Sequence, residues 1–410
     1  MRLHALSGAI PPLKEAIREY KLISSLVYPL KPEEFFSTFY DKQPKYFAGN
    51  FVHKCDKLIS TAKLDDLIAN SELPPASIDM ARHEPSISRS NFTFKSGNID
   101  RGAVIRHFQE GATIIFPQLN LASEELADFC RALEYELSCK VQTNVYLTPK
   151  TSQGFKTHYD DHDVFVIQVE GSKKWSVYQQ AIERPFRGEP FKASEYSAGD
   201  TNLNFTMHPG DCAYIPRGYM HDAVNVGDQP SLHITVGLLV KKWAEFMLEV
   251  LSEVAIDNPK FRESMPAGFA HSGFNKDKAI IHFNELMSIF SAEANFEEVF
   301  KVFKDELYRT RKANIKSALV QSSAPIEVSD LYVLRENFQA SLRIENDNAV
   351  LSCAGGDLKF EAKAYEALQQ VIVGAPFAAT LFNGFEITEA IEMVQKLLAF
   401  GVITLFVDLE

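Results

Sequence analysis

The sequence has few cysteines and no long apolar run. Its five cysteines, at positions 55, 130, 139, 212 and 353, lie far apart and form no Cys-x-x-Cys pair. We therefore expect reduced thiols and a cytoplasmic protein rather than a disulfide framework. No stretch of about 18 apolar residues occurs, so we expect no membrane-spanning helix. The first twenty residues become charged too early for a secretory signal, which is a further expectation from the sequence.

Basic residues are also scarce. The chain has 42 Lys and Arg against 54 Asp and Glu, a formal net charge of −12, which argues against general nucleic-acid binding. The acidity is uneven: residues 1–240 carry 25 basic and 29 acidic side chains, residues 241–325 carry 12 of each, and residues 326–410 carry 5 and 13. The last segment is therefore the part least suited to contact DNA phosphates.

Three segments with different residue patterns predict an α+β fold in three domains. Within residues 1–240, helices are expected from Pro32 and from Ser123, and short β-rich runs follow between residues 142 and 240: TNVYLT, VFVIQVE, WSVYQ, LNFTM, CAYIP and LHITVGLLV. Such short strands separated by turn residues indicate a sandwich or jelly roll. Residues 241–325 have helical periodicity, including the stretch 296–320. Residues 326–410 mix helices with strands in a winged-helix-like outline.

Candidate metal ligands lie in the β-rich region. If His158-Tyr159-Asp160 is a strand, the side chains of His158 and Asp160 point to the same face. His221 can join them through folding. Two histidines and one carboxylate form the facial triad of non-haem Fe(II) oxygenases, which leaves coordination positions open for a bidentate cosubstrate and O₂.

The residues around His221 strengthen this interpretation. The segment from Gly210 to Asn225, GDCAYIPRGYMHDAVN, matches every fixed position of the second cupin motif, G-x5-P-x-G-x2-H-x3-N. Its glycines and Pro216 predict two turns that return His221 to the neighbouring strand. The first motif has Asp160 where ordinary cupins have a second histidine, which favours the oxygenase branch.

A 2-oxoglutarate cosubstrate would also need a cation for its distal carboxylate. Lys173 lies one strand beyond the candidate ligands and could supply that charge, whereas Lys174 would point to the opposite face. Thr235, on the strand SLHITV, could donate a hydroxyl to the same carboxylate. Asn144, on TNVYLT, could reach the cosubstrate or the iron. His162 and His208 have no assigned chemical role.

These motifs resemble those of the JmjC-type ribosomal oxygenases, which are 2-oxoglutarate- and Fe(II)-dependent protein hydroxylases with a cupin fold. The resemblance covers roughly residues 25–240, and Asp163-Val164-Phe165 is similar to the bacterial, arginine-hydroxylating members. It implies that His158, Asp160 and His221 hold Fe(II) and that Lys173 binds 2-oxoglutarate. It also implies a double-stranded β-helix core, a helical dimerisation region, a terminal winged-helix-like domain, a homodimer, and an Arg or His side chain of a ribosomal protein as substrate.

Three alternatives remain open from the sequence. The same site could hydroxylate a peptide natural product or a small molecule. The chain could be a non-catalytic interaction protein on a cupin scaffold. It could also demethylate lysine, as other JmjC proteins do. The metal content of the protein, 2-oxoglutarate binding and formaldehyde release distinguish these possibilities.

Overall fold

The computed structural model describes residues 20–49, 51, 55 and 57–406. The first nineteen residues, on which the leader expectation depends, lie outside this range. The described chain divides into two compact units, 1–240 and 241–410. No helix among the described residues is both long and apolar enough to cross a membrane. The division of the second unit at residue 325 stays a prediction.

The first unit begins with helices that pack against one face of a large sheet. These helices begin at capping or proline positions: Pro32 occupies the first turn of one, and the Ser123 side chain caps another by accepting the N–H of Leu126. Both helices confirm the sequence prediction. The bounds are α1 Lys21–Val27, α2 Pro32–Thr38, α3 Thr61–Asn70, α4 Arg101–Gln109 and α5 Glu124–Leu137.

Among the described residues of this unit, ten strands form two antiparallel sheets. The larger sheet has the order β1-β8-β5-β10-β4-β3-β2 and the smaller one β7-β6-β9. The six predicted β-rich runs all lie in or overlap these strands. The bounds are β1 Lys45–Phe47, β2 Asp79–Ala81, β3 Thr113–Phe116, β4 Lys140–Thr148, β5 Asp163–Glu170, β6 Lys173–Gln180, β7 Thr201–Met207, β8 Cys212–Ile215, β9 Tyr219–Asn225 and β10 Ser231–Leu239.

Strand β5 shows how the sheets enclose a core. Its alternate residues Phe165 and Ile167 pack with the helices, while Val164 and Val166 pack with Trp175 of the smaller sheet. The two sheets therefore face each other as in a jelly roll, without closing into a barrel. Gly218, in the turn before β9, has φ +84°, and a Cβ there would lie 2.0 Å from the Ile182 carbonyl oxygen. That backbone approach explains the glycine of the second cupin motif.

The second unit combines helices with small sheets. The helical periodicity of 296–320 corresponds to two helices: α8 ends at Arg309, and Ser317, with φ 63°, precedes a separate short helix. The helices are α6 Trp243–Asp257, α7 Asp277–Glu293, α8 Phe296–Arg309, α9 Ala318–Ser323, α10 Tyr365–Val373 and α11 Ile387–Ala399. The strands are β11 Tyr332–Leu334, β12 Ala340–Glu345, β13 Asn348–Cys353, β14 Gly356–Glu361 and β15 Ile403–Leu405.

The sheets of the second unit are antiparallel. Strands β12, β13 and β14 form a three-stranded meander, and β11 pairs with β15. The amphipathic stripe of α11 supplies Ala390, Val394, Leu397 and Leu398 to a buried cluster with residues of β13 and β14. Strands beside packed helices agree with the predicted winged-helix-like outline.

Candidate metal centre

The three candidate ligands meet at one point between the sheets. One donor atom from each of His158, Asp160 and His221 lies within 4.8 Å of the others. Nε2 of His158 is 4.0 Å from Oδ1 of Asp160, and Nε2 of His221 is 3.7 Å from Oδ2. The described residues contain no second such group of His, Cys, Asp and Glu.

The backbone around His158 differs from the sequence expectation. His158 and Asp160 were expected on a regular strand, but only His158 is paired, in an isolated bridge with His221. His158 N donates to His221 O at 3.1 Å, and His221 N donates to His158 O at 2.7 Å. Asp160 lies beyond this bridge in a loop, where its carbonyl accepts the N–H of Gly218 at 3.0 Å. A loop held by β9, rather than strand periodicity, therefore brings the two side chains together.

Each histidine is fixed through the ring nitrogen that faces away from the centre. Nδ1 of His158 is 2.8 Å from the Lys156 carbonyl oxygen, and Nδ1 of His221 is 3.0 Å from the Tyr219 carbonyl oxygen. A carbonyl oxygen only accepts, so each Nδ1 carries a proton and Nε2 is the nitrogen of each ring that faces the centre. Two neutral imidazoles and one carboxylate fit Fe(II) and similar divalent transition metals.

The electrostatics agree with that protonation. Burial, and secondarily the His158 ring, lower the pKa of His221 to about 4. Burial alone would raise the pKa of Asp160, but the adjacent rings of His221, His158 and His162 outweigh it and hold this pKa below its ordinary value. Near neutral pH the centre therefore has an ionised carboxylate and an uncharged His221, the forms that bind metal.

A cavity of about 290 Å³ adjoins the three ligands. Lys173 and Thr235 line it, as the sequence led us to expect. Asn144 is the cross-strand partner of Thr235, but it is not among the lining residues. Its Oδ1 accepts the backbone N–H of Gln118 at 3.0 Å, so its amide is used in holding the chain before a short 3₁₀ turn.

Lys173 is buried in this cavity. Its Nζ donates to Thr148 Oγ1 at 3.1 Å, and no described carboxylate forms an ion pair with it. Burial lowers its pKa to about 7. Its neighbour Lys174 is exposed, as the alternation along β6 predicts. An uncompensated buried cation beside a metal site is suited to an anionic ligand.

The sequence did not single out the cavity's aromatic wall. The His233 ring stacks on Tyr146, with centroids 4.8 Å apart and planes 6° apart, and Trp175 meets His233 edge-on at 5.6 Å. Burial, then Lys173, lower the pKa of His233, so its ring is neutral. The available signal was strand alternation: Tyr146 lies two residues after Asn144, and Trp175 two after Lys173.

The two histidines without an assigned role lie outside the centre. His162 Nδ1 is 3.1 Å from Asp161 Oδ1, and its ring packs against Gly237, where a Cβ would approach it to 2.9 Å. His208 Nδ1 is 2.9 Å from the Ser172 hydroxyl in an exposed loop. Asp163 likewise has a structural environment, since it accepts hydrogen bonds from the Arg217 guanidinium and backbone N–H.

Comparison with known families now agrees with the site. Residues 117–246 match the JmjC domain model. The chain is 28% identical over 281 residues to a bifunctional lysine-specific demethylase and histidyl-hydroxylase NO66 of Drosophila persimilis, covering 65% of this chain and 40% of that protein. It is 29% identical over 262 residues to human ribosomal oxygenase 1, covering 62% and 40%. The chain thus spans about two fifths of the length of these relatives.

The fold is shared over nearly the whole chain with Escherichia coli ribosomal oxygenase YcfD. That structure covers 92% of this chain and 98% of its own, with a TM-score of 0.54 at 17% identity. A structure of YcfD with cobalt and 2-oxoglutarate aligns with the same TM-score at 16% identity. The predicted fold class is confirmed. Residues 117–246 are thus similar to JmjC domains, and the resemblance of the chain to the ribosomal oxygenases is confirmed.

Proposed function

We propose that this protein is a 2-oxoglutarate- and Fe(II)-dependent dioxygenase that hydroxylates an amino-acid side chain of a protein. The observation that carries the proposal is the convergence of His158, Asp160 and His221 beside a cavity containing the buried Lys173. In the balanced reaction, one O₂ oxidises 2-oxoglutarate to succinate and CO₂ and places one oxygen atom in a C–H bond of the substrate. The bound Fe(II) would supply the activation of O₂.

The chain's own residues have separate tasks in this proposal. His158, Asp160 and His221 hold the metal, and Lys173 binds the distal carboxylate of 2-oxoglutarate. Thr235 donates a hydroxyl in the same cavity, and Asn144 supports its strand from the neighbouring position. The wall of Tyr146, Trp175 and His233 limits water around the cosubstrate.

The buried Lys173 predicts that 2-oxoglutarate binding depends on pH. The pKa of Lys173 is about 7 in the free protein. The ammonium form, which binds a carboxylate, is therefore fully populated well below that pH, and its population falls as the pH rises above it. In metal-loaded protein we expect the affinity to fall as pH rises from about 7 to 9, approaching about tenfold per pH unit. Calorimetry across this range measures the effect. Lys173→Arg should flatten the profile because arginine stays charged, and an equal slope in both proteins would refute the explanation.

We further propose that the substrate is an Arg or His side chain of a ribosomal protein. The printed names of the relatives, ribosomal oxygenase and histidyl-hydroxylase, support this class. The cavity mouth also supports it, because Phe155 and Phe191 flank the His158 ring, at 5.5 and 6.5 Å, and could stack on a planar side chain.

Mass spectrometry of ribosomal proteins tests this assignment. Cells with the protein should contain a ribosomal peptide one oxygen atom heavier than the same peptide from cells lacking it. Restoring His158→Ala protein should not restore the mark. If all ribosomal peptides are identical in the two cell lines, the ribosomal substrate is wrong and a small peptide or metabolite becomes the better candidate.

Lysine demethylation is the second candidate, because the name of the NO66 relative includes that activity. It uses the same metal and cosubstrate but places the oxygen on a methyl group, so formaldehyde is released. Formaldehyde formed in step with succinate on a methylated peptide would favour demethylation. Stable incorporation of oxygen into the peptide would favour hydroxylation.

The helical segment 241–325 is proposed to form a homodimer. Helix α7 contains no buried residue, and its apolar side chains include Ile281, which is 68% exposed, and Phe283. Trp243 of α6 is 74% exposed. Such apolar area on a soluble chain usually belongs to an interface, and a second copy offers the matching surface.

Dimerisation makes a direct prediction. Light scattering should give twice the chain mass for the native protein, and Ile281→Glu with Phe283→Glu should give a monomer because charge cannot be buried unpaired. Val373→Glu, at an exposed apolar position of α10, is the matched control and should stay dimeric. A monomeric native protein would contradict the proposal.

The domain boundaries, the role of the last domain and the cellular location are also proposals. We propose three domains, 1–240, 241–325 and 326–410, with chemistry confined to the first. The last, with 13 acidic and 5 basic residues, would serve protein contacts rather than DNA. A cytoplasmic location without membrane association agrees with a ribosomal substrate.

A further inference from the structure

A polar contact lies on the face of β9 opposite the metal ligands. Side chains alternate along a strand, so Asp222 points away from its neighbour His221. Oδ2 of Asp222 accepts two hydrogen bonds, one from Thr157 Oγ1 at 2.7 Å and one from the Tyr178 hydroxyl at 2.9 Å. Thr157 directly precedes His158, and Asp222 directly follows His221. The hydrogen bond between Thr157 and Asp222 therefore connects the residues next to the two histidine ligands.

The loop with His158 meets β9 mainly through its backbone. His158 exchanges two hydrogen bonds with His221, the Asp160 carbonyl accepts the N–H of Gly218 just before β9, and Gln153 forms a bridge with Val224. The Thr157–Asp222 bond adds a side-chain contact directly beside His158.

Tyr178 anchors the carboxylate to the sheet. It lies on β6, where Ser176 is the register partner of Asp222. Burial, and then the Asp222 carboxylate, raise the pKa of the Tyr178 hydroxyl, so it keeps its proton and donates throughout the physiological range. One carboxyl oxygen of Asp222 therefore accepts both bonds and links Thr157 to the sheet.

We propose that Asp222, with Thr157 and Tyr178, is a positioning group that sets the separation and angle of His158 relative to His221. Asp222 also borders the cavity, but its carboxylate oxygen is bonded to Thr157 and Tyr178, so it acts through the loop that carries His158. This inference rests on the proposed function, because it assigns the group a role in holding the metal. Outer groups that orient metal ligands commonly change metal affinity by about 10–100-fold when removed.

Thr157→Val tests the proposal with little change in volume. We expect the affinity for Co(II), used as a spectroscopic substitute for Fe(II), to fall by about 10–100-fold. We also expect the visible Co(II) absorption bands, which report coordination geometry, to change. Thr157→Ser keeps the hydroxyl and should retain the native affinity and spectrum. Thr201→Val, at an exposed threonine of β7, is the control for the substitution itself.

The outcomes separate this inference from the proposed function. If the unmodified protein binds no Co(II), the metal centre is wrong and both proposals fail. If it binds Co(II) and Thr157→Val gives the same affinity and spectrum, the positioning role alone is wrong. Should Thr157→Val not fold, Tyr178→Phe provides the same test through the second bond to Asp222, with an expected loss of about tenfold. An unchanged spectrum and affinity there would overturn the proposal.

Discussion

His158→Ala is expected to abolish 2-oxoglutarate turnover and to lower metal affinity by at least about 100-fold. The three ligands come from one loop and one strand, and removing His158 leaves only Asp160 and His221 at the centre. The loss should exceed that of an outer-shell substitution, for which about 10–100-fold is typical, because a direct bond to the metal is removed. Metal content after dialysis and succinate formation measure the two effects.

A matched control exists in the same unit. His208 is also a histidine in a loop, but its ring contacts Ser172 rather than the metal ligands. His208→Ala should therefore retain the metal and produce succinate at the native rate. If His158→Ala turned over as fast as His208→Ala, the assignment of the metal centre would be wrong.

Lys173→Met is expected to weaken 2-oxoglutarate binding by about 100-fold, roughly 3 kcal/mol, while leaving the metal bound. The substitution keeps the length of the apolar stem and removes the only lysine or arginine that the described cavity wall offers to the distal carboxylate. The expected effect is large because the contact is buried, where an anion without its cation is costly. Calorimetry of 2-oxoglutarate binding to metal-loaded protein gives the ratio directly.

The neighbouring residue provides the control. Lys174 has the same chemistry but is exposed on the opposite face of β6. Lys174→Met should bind 2-oxoglutarate with native affinity, because surface charges contribute little. Equal weakening in both variants would show a general charge effect and contradict a specific carboxylate site at Lys173.

The sequence motifs predicted the residues of the metal centre more accurately than the expected secondary structure did. The spacing from Gly210 to Asn225 predicted the turns that return His221, and Gly218 shows the close backbone approach behind this pattern. The strand expected for His158 and Asp160 was wrong, because a single bridge and a loop replace regular pairing there. The His158 and Asp160 side chains still meet, because the bridge to His221 and the Asp160–Gly218 hydrogen bond hold the loop in place.

The contacts that the sequence did not predict join residues far apart in the chain. The stack of His233 on Tyr146 joins β10 to β4, and Trp175 reaches it from the other sheet. No local pattern reveals contacts between residues so far apart in the chain. The sequence predicted only a mixture of helices and strands where β12 and β14 lie, because pairing with β13 decides these strands more than their intrinsic preference. The hydrogen bond from the Gln118 N–H to Asn144 is another contact that no local pattern predicts.

The most direct test of the central claim is succinate formation from 2-oxoglutarate by the purified full chain, with and without Fe(II). The account predicts succinate and CO₂ in equal amounts, strictly dependent on Fe(II) and O₂, and no turnover by His158→Ala. A folded, metal-loaded protein that neither binds 2-oxoglutarate nor forms succinate would contradict it.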